Sequence, residues 1–147
     1  WVCNTQPPPG EVEYCKPNLQ ISYLGHKNAI KHYLTPMQNL ELIFRSSALS
    51  EAIKWMHILG LNKVQDELTA NLSFGQQKKL ALIRVLASES DLIILDEPFV
   101  GLDDASRDLL NGFLQKQLAS DASLILTSHI EPNILCSELV LSGDTDD

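Results

Sequence analysis

Leu92-Ile93-Ile94-Leu95-Asp96-Glu97-Pro98 is the stretch on which the reading of this chain turns. Four consecutive apolar residues without polar alternation fit a buried, parallel-type strand, and the run then ends on two carboxylates. Before it, Leu80, Leu82, Ile83, Leu86 and Ala87 form a broad apolar surface and predict a helix over 76–88. After it come a predicted helix over 104–118 and a second apolar strand, Ser123-Leu124-Ile125-Leu126-Thr127. An earlier core strand, Ile21-Ser22-Tyr23-Leu24, is ended by Gly25-His26. Strand, helix, strand, helix, strand implies an α/β fold: a mostly parallel sheet covered by helices, with ligands near the carboxyl ends of the strands.

Between the first two core strands the texture is helical. Thr35 and Pro36 suit an N-cap and first-turn pair, followed by Leu40, Ile43 and Phe44 at turn spacing. Leu49, Ala52, Ile53, Met56 and Leu59 recur at three- and four-residue intervals, predicting a helix over 49–59 that Gly60 stops. Residues 35–72 therefore form an inserted helical lobe, and 1–34 with 73–147 form the core. Trp55 fits either the margin of the lobe's apolar stripe or an exposed docking surface. Near the ends, Glu11 to Tyr14 suggests an edge strand, Pro132 a short helix, and Glu138-Leu139-Val140-Leu141 a last strand.

The 147 residues suit one domain, and 44% hydrophobic with 20% charged residues excludes a collagen-like or disordered chain. No apolar run approaches the roughly 18 to 20 residues that a bilayer requires. Nineteen acidic against eleven basic side chains give a formal charge of −8, which argues against a nucleic-acid partner. Cys3, Cys15 and Cys136 lack CxxC spacing and read as free thiols.

Chemistry concentrates at the strand ends. Asp96 and Glu97 can address different parts of one ligand, the first holding Mg²⁺ or its water, the second receiving a proton from an attacking water. A solvated strand end explains the pair equally well. His129 follows Thr127 and Ser128 at the next strand's end, where it could face the same ligand and donate a hydrogen bond to a phosphate oxygen. Ser73 and Gly75 lead into a helix, where free N–H groups favour an anion, though many ordinary caps look the same. Lys78 and Lys79 could strengthen that field or lie on a solvated helix face. Gly101-Leu102-Asp103 reads locally as a tight turn ending in an acidic helix cap. His26, just past the first core strand, reads locally as a surface histidine.

The ordered set Leu72-Ser73-Phe74-Gly75-Gln76, Leu92 to Pro98, Gly101-Leu102-Asp103 and His129 resembles the nucleotide-binding subunit of an ABC transporter. The resemblance implies a P-loop NTPase-like core with an inserted helical subdomain, ATP and Mg²⁺ as cofactors, and ATPase activity coupled to transport. It makes Leu72 to Gln76 the signature loop, Asp96 and Glu97 the end of the Walker B strand, Gly101 to Asp103 the D-loop, and His129 the switch histidine. Glu97 and His129 would be catalytic, while Ser73, Gly75, Gln76, Asp96 and Asp103 would bind the nucleotide. Phe74 replaces a usually small residue and has to point away from the nucleotide.

The segment Tyr23-Leu24-Gly25-His26-Lys27-Asn28-Ala29-Ile30-Lys31, with Leu34-Thr35-Pro36 and Asn39-Leu40, resembles more particularly the haem exporter ATP-binding subunit of bacterial cytochrome c biogenesis. There His26 stands where most ABC ATPases carry the Q-loop glutamine, which implies contact with Mg²⁺ and water. The family's partners would be a second copy of the subunit, closing head to tail so that Ser73 and Gly75 meet the other copy's ATP, and integral membrane transporter subunits. Its place would be peripheral, on the cytoplasmic face of the bacterial inner membrane. No GxxxxGK[ST] stretch occurs in the 147 residues. The resemblance places that loop upstream of Pro7-Pro8-Pro9-Gly10-Glu11-Val12, so the chain reads as N-terminally truncated. Alone it is expected to bind ATP poorly and hydrolyse it negligibly. The competing functions are the ATPase of another ABC system and a non-catalytic nucleotide-sensing or assembly module.

Overall fold

A computed structural model describes residues 2–3, 18–135 and 137. Its sheet has four strands in the order β1-β4-β3-β2. These are β1 (Val2–Cys3), β2 (Ile21–Leu24), β3 (Leu92–Asp96) and β4 (Ser123–Thr127). β2, β3 and β4 run parallel, with Leu24 opposite Leu95 and Asp96 opposite Thr127, while the two-residue β1 pairs antiparallel with β4. The apolar runs therefore became adjacent parallel strands, with their carboxyl ends at one edge of the sheet.

Register sorts the side chains into two faces. Leu24, Ile93, Leu95, Leu124 and Leu126 share one face and are buried. They join a single apolar cluster with the inner faces of α3 (Phe74–Leu86) and α4 (Asp104–Ala119). The opposite face is open among the described residues: Ile21 is 54%, Tyr23 61% and Ile125 40% exposed. Parallel sheets are ordinarily covered on both sides. The expectation of a helix-covered sheet is thus met on one face, and Asp96 with Thr127 lies at the end of the other.

Local chemistry sets the helix boundaries. α1 (Pro36–Ile43) starts with a capping box, in which Thr35 Oγ1 accepts from the Gln38 amide at 3.2 Å and Gln38 returns to the Thr35 amide at 3.0 Å. α2 (Ser46–Ile58) begins three residues before its predicted start because the Ala48 and Leu49 amides already donate to the Arg45 carbonyl. Its apolar stripe starts later than its hydrogen bonds do. Gly60, at φ +73°, ends it in the left-handed conformation that glycine adopts without strain. Two 3-10 turns, Leu61–Val64 and Thr69–Asn71, lie between α2 and α3, and Trp55 packs edge-on against Phe113 of α4 with ring centroids 5.9 Å apart. Pro132 opens a bend and no helix through residue 135. Proline's missing N–H and the following Asn133 favour a turn there. The strands predicted at 11–14 and 138–141 lie outside the described residues.

Candidate functional site

The C-terminal ends of β3 and β4 bring Asp96, Glu97, Thr127 and His129 together. Thr127 Oγ1 donates to Asp96 Oδ1 at 2.6 Å, and the Glu97 amide donates to Thr127 through its carbonyl at 3.0 Å and its hydroxyl at 3.2 Å. One hydroxyl thus links the two acidic residues to the neighbouring strand. Glu97 itself has φ +47°, a left-handed conformation that costs a non-glycine residue roughly 1–3 kcal/mol and that clusters at functional positions. The Glu97 carboxylate at this turn lies beside His129.

Both Glu97 oxygens meet that histidine. The His129 amide donates to Oε2 at 3.3 Å, and Nε2 lies 3.4 Å from Oε1. The Glu97 side chain is 18% exposed and the His129 side chain 95% exposed, so the carboxylate is sheltered while the imidazole faces water. A pair with one partner this exposed adds little to stability, and its value lies in orientation. A carboxylate held this way can accept a proton from a water beside the strand ends.

Ser73, Gly75 and Gln76 form a second group with Gly101 and Asp103. Ser73 caps α3 in a second capping box: the Gln76 amide donates to Ser73 Oγ at 3.2 Å, and Gln76 Oε1 accepts from the Ser73 amide at 2.9 Å. The helix therefore starts at Phe74, two residues earlier than its apolar pattern indicates. A Cβ at Gly75 would lie 2.7 Å from the Gly101 carbonyl oxygen, and one at Gly101 would lie 2.5 Å from the Phe74 ring. The two loops touch backbone to backbone, and the Phe74 ring lies across Gly101. Lys79 Nζ reaches Asp103 Oδ2 at 2.6 Å, while Asp103 Oδ1 accepts from the Ser106 amide at 2.9 Å to cap α4. Lys79 first, then Ser106, holds the Asp103 carboxyl well below the usual carboxylate range.

Lys78 departs from the solvated alternative. It is 3% exposed on α3, and burial lowers its pKa while the fields of Asp96 and then Glu97 oppose that shift. The Lys78 side chain is thus buried within the electrostatic reach of both carboxylates. Sequence reasoning placed Lys78 in a plausible phosphate field but gave no sign of its burial, and it gave Thr127 no linking role. The hydroxyl preceding Ser128-His129 was the available signal for Thr127.

His26 stands just beyond β2, which neighbours β3, and its side chain is exposed. Among the described residues, no hydrogen bond joins it to Asp96 or Glu97. Nor do three or more His, Cys, Asp or Glu residues converge as a metal cluster among those residues. Asp96 supplies one hard carboxylate beside a threonine hydroxyl. That donor set fits Mg²⁺, which takes one or two carboxylates and completes its shell with water and phosphate oxygens.

Comparison with known proteins gives one consistent result. The sequence pattern of the ABC transporter family matches residues 3–100. A cytochrome c biogenesis ATP-binding export protein, CcmA, from Idiomarina loihiensis is 37% identical over 135 residues, 90% of this chain and 57% of its own length. A solved ATP-binding subunit of an ABC transporter has a TM-score of 0.67 at 25% identity, over 76% of this chain and 49% of its own. A bacterial ABC transporter cassette solved as a dimer shares the fold at 21% identity, with a TM-score of 0.61 over 76% of this chain and 52% of its own. The chain spans about half the length of each of these three proteins.

Proposed function

The chain belongs to the ABC transporter family, and on that premise we propose that it is the catalytic half of an ATP-hydrolysing transporter subunit, of the kind named for cytochrome c biogenesis export in its relatives. The observation that carries this reading is the hydrogen-bonded set Asp96–Thr127–Glu97–His129 at the ends of adjacent parallel strands. Glu97 accepts the proton of the attacking water as its oxygen bonds to the γ-phosphorus and the bond to the β-phosphate oxygen breaks, releasing ADP. His129 orients that carboxylate and, from its exposed imidazole, donates to a phosphate oxygen. Asp96, with His26 from the neighbouring strand end, would hold Mg²⁺, which supplies charge neutralisation on the phosphates when bound.

Ser73, Gly75 and Gln76, with Asp103 behind them, would close on ATP bound to a second copy. The Ser73 cap offers amides at a helix N-terminus, and the related cassette is dimeric. No described helix is long and apolar enough to cross a membrane. Transport would therefore run through integral membrane subunits, with this chain attached to them at the cytoplasmic face and the 35–72 lobe as the docking surface. The phosphate-cradling GxxxxGK[ST] loop that this reading requires does not occur in these 147 residues.

The deciding experiment is ATP turnover by the complete subunit with its membrane partners. Glu97→Gln is expected to lower turnover at least a hundredfold while partner binding is retained. Undiminished turnover would remove Glu97 from the chemistry and favour the sensing or assembly reading.

A further inference from the structure

Lys78 is 3% exposed, and among the described residues no hydrogen bond or ion pair reaches its ammonium. The adjacent lysine is the opposite case, since Lys79 Nζ lies 2.6 Å from Asp103 Oδ2. A lysine is seldom buried without a partner, because removing its charge from water is costly. Packing alone would be served at this position by an apolar side chain of the same length.

Helix geometry places it. Lys78 stands four residues after Phe74 and three after Gly75, on the face of α3 where those two residues meet Gly101. Gly101 is four residues past Glu97, in the segment that leaves β3. On the same face, one turn further from that segment, Ala81 and Leu82 are buried. Burial lowers the Lys78 pKa, and the fields of Asp96 and then Glu97 oppose that shift by favouring the ammonium form. Thr127 bonds to both acidic residues but neutralises neither.

We propose that Lys78 is the resident counter-charge of the Asp96–Glu97 strand end, a positioning residue that weakens the binding of a bare divalent cation there. A fixed positive charge repels a dication twice as strongly as a monovalent ion at the same distance. Phosphate oxygens bring negative charge of their own and offset that repulsion, so the strand end keeps its cation only together with phosphates. The metal-holding role of Asp96 rests on the function proposed above.

The test uses Mn²⁺ alone, which takes the same oxygen ligands as Mg²⁺, titrated at low salt into the 147-residue chain. NMR reads its paramagnetic broadening amide by amide. The amides of Asp96, Glu97 and Thr127 should broaden, and Lys78→Met and Lys78→Gln should reach the same broadening at roughly three- to tenfold lower Mn²⁺. Lys78→Arg, which keeps the charge, should need the native concentration. Identical titrations of the native chain and the neutral variants would overturn the counter-charge and leave Asp96 as a metal ligand. So would a Lys78→Arg titration that matches the neutral variants, or an equal gain at Glu51 on α2, which would report net charge only. No broadening at Asp96 in any of the four proteins would overturn the metal-holding role and the counter-charge with it. If Lys78→Met unfolds the chain, Lys78→Gln decides.

Discussion

Gly101→Ala tests whether the two loops near Ser73 are held together by the contact seen between them. Gly101 has φ +79°, where an alanine pays roughly 1–2 kcal/mol of backbone strain, offset by roughly 0.4–1 kcal/mol from a less flexible unfolded chain. Its new Cβ would also fall 2.5 Å from Phe74 Cε1. Phe74 is 60% exposed, so the ring can swing into water rather than force the backbone apart. What is then lost is the ring's buried portion, less than half of the roughly 1.5–3 kcal/mol that full burial of such a side chain contributes. The single substitution should therefore cost about 1.5–2 kcal/mol. In a Phe74→Ala background only the backbone part remains, so the coupling energy of the pair should be about 1 kcal/mol. Urea unfolding of the four proteins in the cycle, followed by circular dichroism with m-values compared, measures it. If Gly101→Ala costs the same in both backgrounds to within about 0.3 kcal/mol, the ring does not rest on Gly101 and the argument fails.

Three further outcomes follow from the same geometry. Thr127→Val should cost under about 1 kcal/mol in stability, since the residue is exposed, yet lower turnover of the complete subunit roughly tenfold because Asp96 and Glu97 lose their shared hydroxyl; unchanged kinetics would deny it that role. Asp103 titrates below its unfolded value, so its contribution to stability is present at neutral pH and lost as pH falls through the ordinary carboxylate range toward its depressed folded pKa. Asp103→Asn should flatten the acid limb of a stability–pH curve, and an unaltered limb would contradict the Lys79 pairing. Replacing Tyr23 and Ile125 by serine and threonine should reduce binding of an apolar dye to the 147-residue chain, because both lie on the open sheet face; equal dye binding would place the accessible apolar surface elsewhere.

Much of the site was legible because its parts announce themselves locally. An apolar run ending in Asp96-Glu97, a serine three residues before Gln76, and Asp103 three before Ser106 each specify a strand end or a cap through residues close in sequence. Lys78 was not legible. Adjacent lysines on a helix look alike in sequence, and only the approach of α3 to the strand ends separates buried Lys78 from Lys79, which pairs with Asp103. The left-handed turn at Glu97 was equally hidden, since a carboxylate there gives no glycine signal.

By itself the sequence determined the three parallel core strands, the four longer helices and the order of the chemical groups along them, because side-chain periodicity and capping act over a few residues. The tertiary structure alone decided the register that sets Asp96 opposite Thr127, the contact of Gly75 with Gly101, and the closing of Asn39 on Thr69 across thirty positions. Those pairings depend on which faces find each other when the core excludes water, and that choice is made by the whole chain at once.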